Sequence, residues 1–232
     1  MPIAFSIVIP ALNEKQIIER AVRETARVFA SYGKTFEMIV VDDGSTDGTS
    51  QVVEALGREG LSVRLLRHAA NQGKGAAVRT GVLTAIGEWI LILDADLSVT
   101  PDAFTSFLPA LETSDIIIGS RRVAGAILAL PQPLLRDLSG RCFNVFIRVL
   151  LRLPYRDTQC GFKAFHQRTR MVFDALETTG WSFDVELLVR ARRASFRIIE
   201  LPVTWSHGEI SRVRFSHGGS ILKELLRIRR IH

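Results

Sequence analysis

The chain has 232 residues, 47% of them apolar, with 30 Lys+Arg against 24 Asp+Glu and two cysteines. That length supports one substantial core, and the composition excludes a disordered or low-complexity chain. Cys142 and Cys160 exclude a disulfide scaffold and a cysteine-spaced metal site, and they read as two reduced thiols of a cytosolic protein.

The N-terminus runs straight into a strand-like segment, Ile3 to Pro10, with no basic stretch leading a long apolar one. No signal peptide is therefore expected. No stretch approaches the ~20 apolar residues that span a bilayer, so no membrane crossing is expected either. Charge is unevenly placed. Residues 1–120 carry 10 Lys+Arg against 15 Asp+Glu, whereas residues 121–232 carry 20 against 9. A basic half on an acidic half points to an anionic partner: nucleic acid, a phosphate ligand or anionic lipid.

In chain order, short apolar runs rich in β-branched residues predict strands at Phe5–Pro10, Phe36–Asp42, Leu61–Arg67, Trp89–Asp94 and Asp115–Gly119. Helical periodicity fills the gaps. Glu14–Tyr32 places Ile17, Ile18, Ala21, Val22, Thr25, Val28 and Phe29 on one face and stops at Gly33; Thr49–Arg58 and Gly75–Ile86 follow. Thr100 followed by Pro101 predicts an N-cap and a fourth helix. Beyond Gly119 the pattern predicts a basic amphipathic helix over Pro133–Leu151 and a loop over Tyr155–Lys163. It then predicts helices at Gln167–Leu176 and Asp184–Ala194, a strand at Arg197–Val203 and a last helix at Ser220–Arg230. Apolar strands alternating with helices predict an α/β fold, a mainly parallel twisted sheet covered on both faces. With no repeat and no Pro-, Gly- or Ser-rich linker, residues 1–232 read as a single domain, its first 120 residues binding a ligand and its remainder facing the anionic partner.

In such sheets ligands sit beyond the carboxyl ends of the strands. Three polar clusters fall there: Pro10-Ala11-Leu12-Asn13-Glu14, Asp42-Asp43-Gly44-Ser45-Thr46-Asp47 and Asp94-Ala95-Asp96-Leu97-Ser98. Asn, Asp and Ser are ordinary turn residues, which accounts for any one cluster. It does not account for carboxylates arriving as close pairs at two strand ends, because such neighbours repel unless a cation compensates them. The Asp94-x-Asp96 turn offers hard oxygen ligands to Mg²⁺ or Mn²⁺, which in turn can bridge a diphosphate. Asn71-Gln72-Gly73-Lys74-Gly75 precedes a helix. It reads either as an anion-binding loop, with Lys74 and the helix N-terminus favouring phosphate, or as a plain loop-to-helix junction. It lacks the spacing of a P-loop.

The ordered set VIPALNE, VDDGSTDGT, NQGKGAAVRTG, DADLS and GSRR resembles the nucleotide-sugar domain of inverting family 2 glycosyltransferases of GT-A fold. The segments RDTQCGFKAF (Arg156–Phe165), GWSFDVELL (Gly180–Leu188) and LPVTWSHGEISRV (Leu201–Val213) are similar to dolichyl-phosphate glucosyltransferases and, more loosely, to dolichyl-phosphate mannose synthases. The resemblance implies transfer of a hexose, glucose from UDP-glucose before mannose from GDP-mannose, to a polyprenyl or dolichyl phosphate; a non-lipid acceptor stays open. Pro10, Leu12, Glu14, Val40 and Asp42, with Asp43, would line the nucleoside site. Asp94, Asp96 and Ser98 would hold the metal, with Ala95 beside the donor. Arg121 or Arg122, Arg136 and Ser139 would meet the acceptor phosphate, and Arg212 lies in a loop, with His207, Glu209 and Ser211, that would close over the donor. Asp96, Arg121 and Arg136 would act nearest the chemistry. Leu12 stands where many relatives carry Tyr, and Ser98 where mannose synthases carry Gln.

A phosphate acceptor needs no general base, because it is already anionic near neutral pH. It needs positioning cations, and Arg121 to Arg170 hold ten Lys+Arg against two acids. The helices Leu134–Leu151 and Ser220–Arg230 interleave apolar residues with arginines. They read as core-packed helices with solvated arginines or as membrane-surface helices, and a lipid substrate favours the second. The expectation is a protein peripheral to the cytosolic face of a membrane, alone or through a membrane-protein partner. A basic nucleic-acid-binding module fits the charge but not the paired carboxylates, and no finger or helix-turn-helix pattern is present, so no nucleic acid is expected.

Overall fold

The computed structural model describes the backbone of residues 2–129, 134–180, 182–206 and 218–231, and side chains over the same ranges except 134–139, 141 and 218–222. Of the residues singled out above, His207, Glu209, Ser211 and Arg212 lie outside the described residues, as do the side chains of Arg136 and Ser139.

The first half alternates as its periodicity requires: β1 (Phe5–Ala11), α1 (Ile18–Ser31), β2 (Phe36–Asp42), α2 (Thr49–Arg58), β3 (Val63–Arg67), α3 (Lys74–Thr84) and β4 (Trp89–Ile92). The second half adds β5 (Ile116–Ser120), β6 (Ile127–Leu128), α4 (Leu134–Leu150), β7 (Lys163–His166) and α5 (Arg170–Asp174). It ends with α6 (Phe183–Arg193), β8 (Ile198–Pro202), β9 (Thr204–Trp205) and α7 (Gly218–Ile231). Seven strands form one sheet in the order β3-β2-β1-β4-β7-β5-β8, and β6 pairs with β9 alone. β1–β4 are mutually parallel and β5 runs parallel to β8; β7 is antiparallel to both its neighbours. The chain leaves β1 outward through β2 and β3, then returns to lay β4 on β1's other side. That reversal opens a crevice at the carboxyl ends of β1 and β4.

Strand period two divides the core cleanly. Ile7, Ile9, Met38, Val40 and Leu91 face one layer, formed by α1, α2 and the segment after β4. Val8, Ile39, Val41, Ile90 and Ile92 face the other, formed by α3 to α7. The first layer holds an aromatic cluster: Phe5 lies edge-on to Phe29 at 5.7 Å and to Phe104 at 5.2 Å. In the second layer α3 presses onto the sheet at Gly81, where any Cβ would strike the side chains of Val8 and Val41.

Three elements depart from the sequence reading. The expected fourth helix is instead two 3₁₀ turns, Pro101–Ser106 and Leu108–Ala110. Pro109 removes an N–H that a continuous helix would need and crowds the preceding turn. Helix α1 begins at Ile18, four residues later than Glu14. Asn13 takes a left-handed φ of 52° and turns the chain before the helix can start. Strand β7 had no sequence signal: Lys163-Ala164-Phe165-His166 reads as mixed, because its lysine is buried against expectation.

Candidate active site

The loops after β1 and β2 are laced together. Asn13 N–H donates to Ser45 Oγ at 2.8 Å, Thr46 N–H to Asn13 Oδ1 at 2.9 Å, and Glu14 N–H to Thr49 Oγ1 at 2.9 Å. Pro10, Leu12 and Glu14 are thereby held half-buried beside the 42–49 loop. The carboxylates of that loop are occupied inside the protein. Asp42 is fully buried and accepts from Ser45 N–H at 2.7 Å and from the Ser50 hydroxyl. Asp43 accepts from Gln72 N–H at 2.9 Å, Gly73 N–H at 2.8 Å and His68 Nδ1 at 2.7 Å, while His68 Nε2 meets Thr80 Oγ1 at 2.9 Å. Asp43 is therefore the anchor of the 71–73 loop, with His68 as its strut, a partnership between residues 25 apart that sequence spacing does not reveal. Val40 is a correction: it has no exposed surface and packs in the core, so it cannot line a ligand site.

The 71–75 segment resolves against a phosphate cradle. Gly75 N–H and Ala76 N–H, which open α3, both donate to Thr179 O, at 2.8 and 3.3 Å. Donors so capped are not available to an anion. The glycines serve the same contact, since a Cβ at Gly73 would collide with Thr179 O and one at Gly75 would lie 2.7 Å from Thr178 O. Lys74 is the part of the motif that points to the crevice: its Nζ lies 2.6 Å from Asp94 Oδ1.

Asp94 and Asp96 stand at the tip that follows β4. Leu97, with a left-handed φ of 51°, buries its side chain and turns the chain, leaving Asp96 exposed. An Leu in that region is strained, and such strain persists where surrounding contacts impose it. Ser98 N–H donates to Asp96 Oδ1 at 2.9 Å, and Ser98 O accepts from Ser206 N–H at 2.8 Å. Ala95, expected beside the donor, buries its methyl in the core, which leaves only its backbone at the tip. Asp94 is half-buried and backs onto Gly161 so closely that a Cβ there would run into its carboxylate. The Gln159-Cys160-Gly161 turn thus forms the floor under Asp94.

Around this tip the charges alternate. Lys163, buried in β7, pairs with Asp184 and also donates to Cys160 O. Burial resists the charge on Lys74, but Asp94 and then Asp184 and Asp96 outweigh it and raise its pKa above the ordinary lysine value. Burial likewise dominates at Asp184, raising its pKa despite Lys163 and Lys74. Glu186, one turn along α6, has a structural task, accepting from Thr178 N–H at 2.8 Å and Arg190 Nε at 2.6 Å.

Arg121 requires a reassignment. Its guanidinium forms a fork onto buried Asp157, Nε to Oδ2 at 2.7 Å and Nη2 to Oδ1 at 3.0 Å, and lies 5.7 Å from the Trp205 ring centroid. Burial opposes its charge, Asp157 more than restores it, and Cys160 and Asp94 add to the rise. Burial raises the Asp157 pKa, but Arg121 overrides this and holds it below the ordinary carboxylate value. Arg121 is therefore held in place by Asp157. Arg122 is half-buried next to it. Cys160 is an inert floor residue, its thiol pushed up to about 11 by burial and by Asp157.

Among the described residues no three His, Cys, Asp or Glu side chains are grouped to hold a metal by themselves. Two carboxylates are what a Mg²⁺ or Mn²⁺ site needs when substrate phosphates and water complete the shell, so the donor set fits a metal–diphosphate. A twisted, mainly parallel sheet with a two-carboxylate tip at its switch crevice defines a nucleotide-sugar transferase of GT-A architecture. The chain belongs to glycosyl transferase family 2, whose family model matches residues 6–171. It is 31% identical to a dolichyl-phosphate beta-glucosyltransferase of Dictyostelium discoideum, over 98% of this chain and 74% of the relative. It is 35% identical to dolichyl-phosphate beta-glucosyltransferase ALG5C of Trichomonas vaginalis (91% and 66%), and 32% identical to an undecaprenyl-phosphate mannosyltransferase of Micrococcus luteus (78% and 76%). Its fold matches glucosyl-3-phosphoglycerate synthase of Mycobacterium tuberculosis, solved with Mn²⁺, UDP-glucose and phosphoglyceric acid. That match has a TM-score of 0.68 at 18% identity, over 97% of this chain and 78% of that one.

Two outcomes follow from this geometry. Gly161→Ala will displace Asp94 and lower sugar-transfer turnover by about 100-fold, the scale set by a misplacement near 1 Å, while far-UV circular dichroism stays native; undiminished turnover would remove Gly161 from the site floor. Asp157→Asn will leave Arg121 without its buried partner and cost about 3 kcal/mol in urea unfolding at pH 7. Because the folded Asp157 pKa is depressed, the wild-type advantage is complete above the ordinary carboxylate value of about 4 and shrinks as pH falls below it. An advantage unchanged at pH 3 would contradict the assignment.

Proposed function

We propose that the chain transfers a hexose, glucose in the first instance, from a nucleoside-diphosphate sugar to a polyprenyl phosphate with inversion at the anomeric carbon. The observation that carries this is the Asp94–Asp96 tip after β4 with Lys74 Nζ 2.6 Å from Asp94, in a chain whose second half is strongly basic. The names of the relatives, glucosyltransferases acting on dolichyl phosphate, support the same acceptor class. A mannosyl donor is the second reading, favoured by the Micrococcus luteus relative.

Asp94 and Asp96 would hold Mg²⁺ or Mn²⁺, which when bound supplies Lewis-acid neutralisation of the departing diphosphate. Pro10, Leu12 and Glu14 would seat the nucleoside, beside the loop braced by Asp42. Lys74 adds positive charge beside Asp94, on the diphosphate side. The acceptor phosphate is largely dianionic above its second pKa of about 6. One of its oxygens forms the new bond to C1 as the bond from C1 to the nucleoside diphosphate breaks, and no protein base is required. Arg122, half-buried next to Arg121, is assigned to steer that phosphate, and Arg136, Ser139 and Arg212 remain candidates from the family resemblance.

Attachment to a membrane surface is part of the proposal. Among the described residues no helix is long and apolar enough to cross a membrane. α4 buries Ile147 against the core, as does Leu151 just beyond its end, yet α4 exposes Cys142, Val145, Phe146 and Val149 on a second stripe at helical spacing. Exposed Ile127 and Leu128 of β6 precede it in the chain. An apolar stripe on a basic helix suits an anionic bilayer interface, on the cytosolic side where nucleotide sugars are made available, directly or beside a membrane protein.

The test is a radiolabel assay of UDP-glucose, UDP-galactose, GDP-mannose and UDP-N-acetylglucosamine against one polyprenyl phosphate in vesicles. UDP-glucose is expected to give an organic-extractable, mild-acid-labile product, and EDTA to abolish it until Mg²⁺ or Mn²⁺ is restored. Full transfer in EDTA would refute the metal role, and no lipid product with any donor would refute the acceptor class.

A further inference from the structure

Lys163 has no part in the sugar-transfer reading, yet burying it is costly. It is 1% exposed in β7, where its register partners are Ile92, the last residue of β4, and Ile118 of β5. An apolar pair of similar volume in place of a buried ion pair is commonly as stable. Stability alone therefore does not account for a lysine here, whereas its hydrogen bonds do. Nζ donates both to Asp184, in the first turn of α6, and to Cys160 O. That oxygen belongs to the peptide joining Cys160 to Gly161. A peptide unit is planar, so holding its oxygen fixes the plane as far as Gly161 Cα. Gly161 is the residue on which Asp94 rests, since a Cβ there would lie 2.7 Å from Asp94 Cγ. The same turn is also held by Gln159 N–H on Asp157 Oδ1 at 3.3 Å and by Gly119 N–H on Phe162 O at 2.8 Å. Neither bond involves a group of the 160–161 peptide.

We propose that Lys163 is a positioning residue for Asp94, acting through the Cys160 carbonyl and Gly161 to hold the floor against which that carboxylate sits. The proposal rests on the reading of Asp94 and Asp96 as the metal ligands. Lys163 touches neither metal nor sugar; it orients a ligand from behind, as the supporting groups of metal sites do. Asp184 has the lesser part of anchoring the ammonium to the start of α6, where the helix N-terminus favours a carboxylate. Without the bond from Lys163 the 160–161 peptide is free to turn, and Asp94 loses the surface that orients it.

The full chain is titrated with Mn²⁺ in the presence of UDP and, in parallel, of GDP, while free Mn²⁺ is read by electron paramagnetic resonance; urea unfolding is followed on the same samples. Lys163→Met is expected to bind Mn²⁺ about tenfold more weakly than wild type, the lower end of what losing such a support costs. Lys163→Met/Asp184→Leu replaces the buried pair with apolar side chains. It is expected to unfold in urea as wild type does, yet to keep the tenfold loss, because the Cys160 carbonyl still lacks its donor. Asp184→Asn leaves Lys163 an oxygen to donate to; it is expected to unfold more easily but to bind Mn²⁺ as wild type does. Recovery of wild-type Mn²⁺ affinity in the double variant would overturn the proposal, as the pair would then serve stability alone. A loss in Asp184→Asn equal to that in Lys163→Met would overturn it too, tracing the effect to charge. Asp96→Asn marks the underlying reading separately: if it binds Mn²⁺ with UDP and with GDP as wild type does, the metal centre itself is misplaced and the positioning role falls with it. If Asp96→Asn loses Mn²⁺ while Lys163→Met and the double variant keep it, only the positioning role fails.

Discussion

Negative charge gathered at the mouth of a sheet must be balanced by positive charge held just as firmly, and the structure is organised around that requirement. Asp94 sits at the end of a fully buried strand, where its position is set by backbone pairing on both sides of β4. The balancing cations come from three different parts of the chain: Lys74 from the start of α3, Arg121 from the end of β5 and Lys163 from β7. Each is itself tied down by a carboxylate, Asp94, Asp157 and Asp184 respectively. The result is an alternating array in which no charge is buried without a partner at hand, as a low-dielectric site demands.

This array explains why the second half of the chain is needed to complete a site whose ligand tips lie in the first. β7 is inserted antiparallel between β4 and β5, and the turn before it brings Gly161 under Asp94 and Asp157 onto Arg121. The 178–179 segment reaches back to cap α3 and so sets where Lys74 stands. Much of the basic excess of residues 121–232 is thus not a loose field. Arg121, Lys163, Arg190 and Arg170 are spent on specific internal partners, and the apolar stripe of α4 is left to face outward.

The strands and crevice were legible because continuous apolar runs such as Ile7–Ile9 and Ile90–Ile92 mark strands buried on both faces, and because carboxylates cluster where parallel strands end. Asp94 and Asp96 could be singled out on that ground alone. Other features depend on contacts between distant residues, which local patterns do not encode. Thr179 capping α3 favours the loop-to-helix junction over the anion-binding loop, the two readings left open for Gly73-Lys74-Gly75. Asp157, 36 residues away, holds Arg121 by a forked pair. A buried Lys163 disguised β7, and Pro109 broke a helix that the cap at Thr100 announced. His68 lacked any visible partner in sequence, yet in three dimensions it braces Asp43 against Thr80.

The most direct test is the anomalous scattering of Mn²⁺ in crystals of the protein grown with UDP. One dominant peak is expected at coordination distance, about 2 Å, from both Asp94 and Asp96 and touching the diphosphate at the crevice between β1 and β4. A peak bound elsewhere, or a diphosphate seated away from that tip, would contradict it.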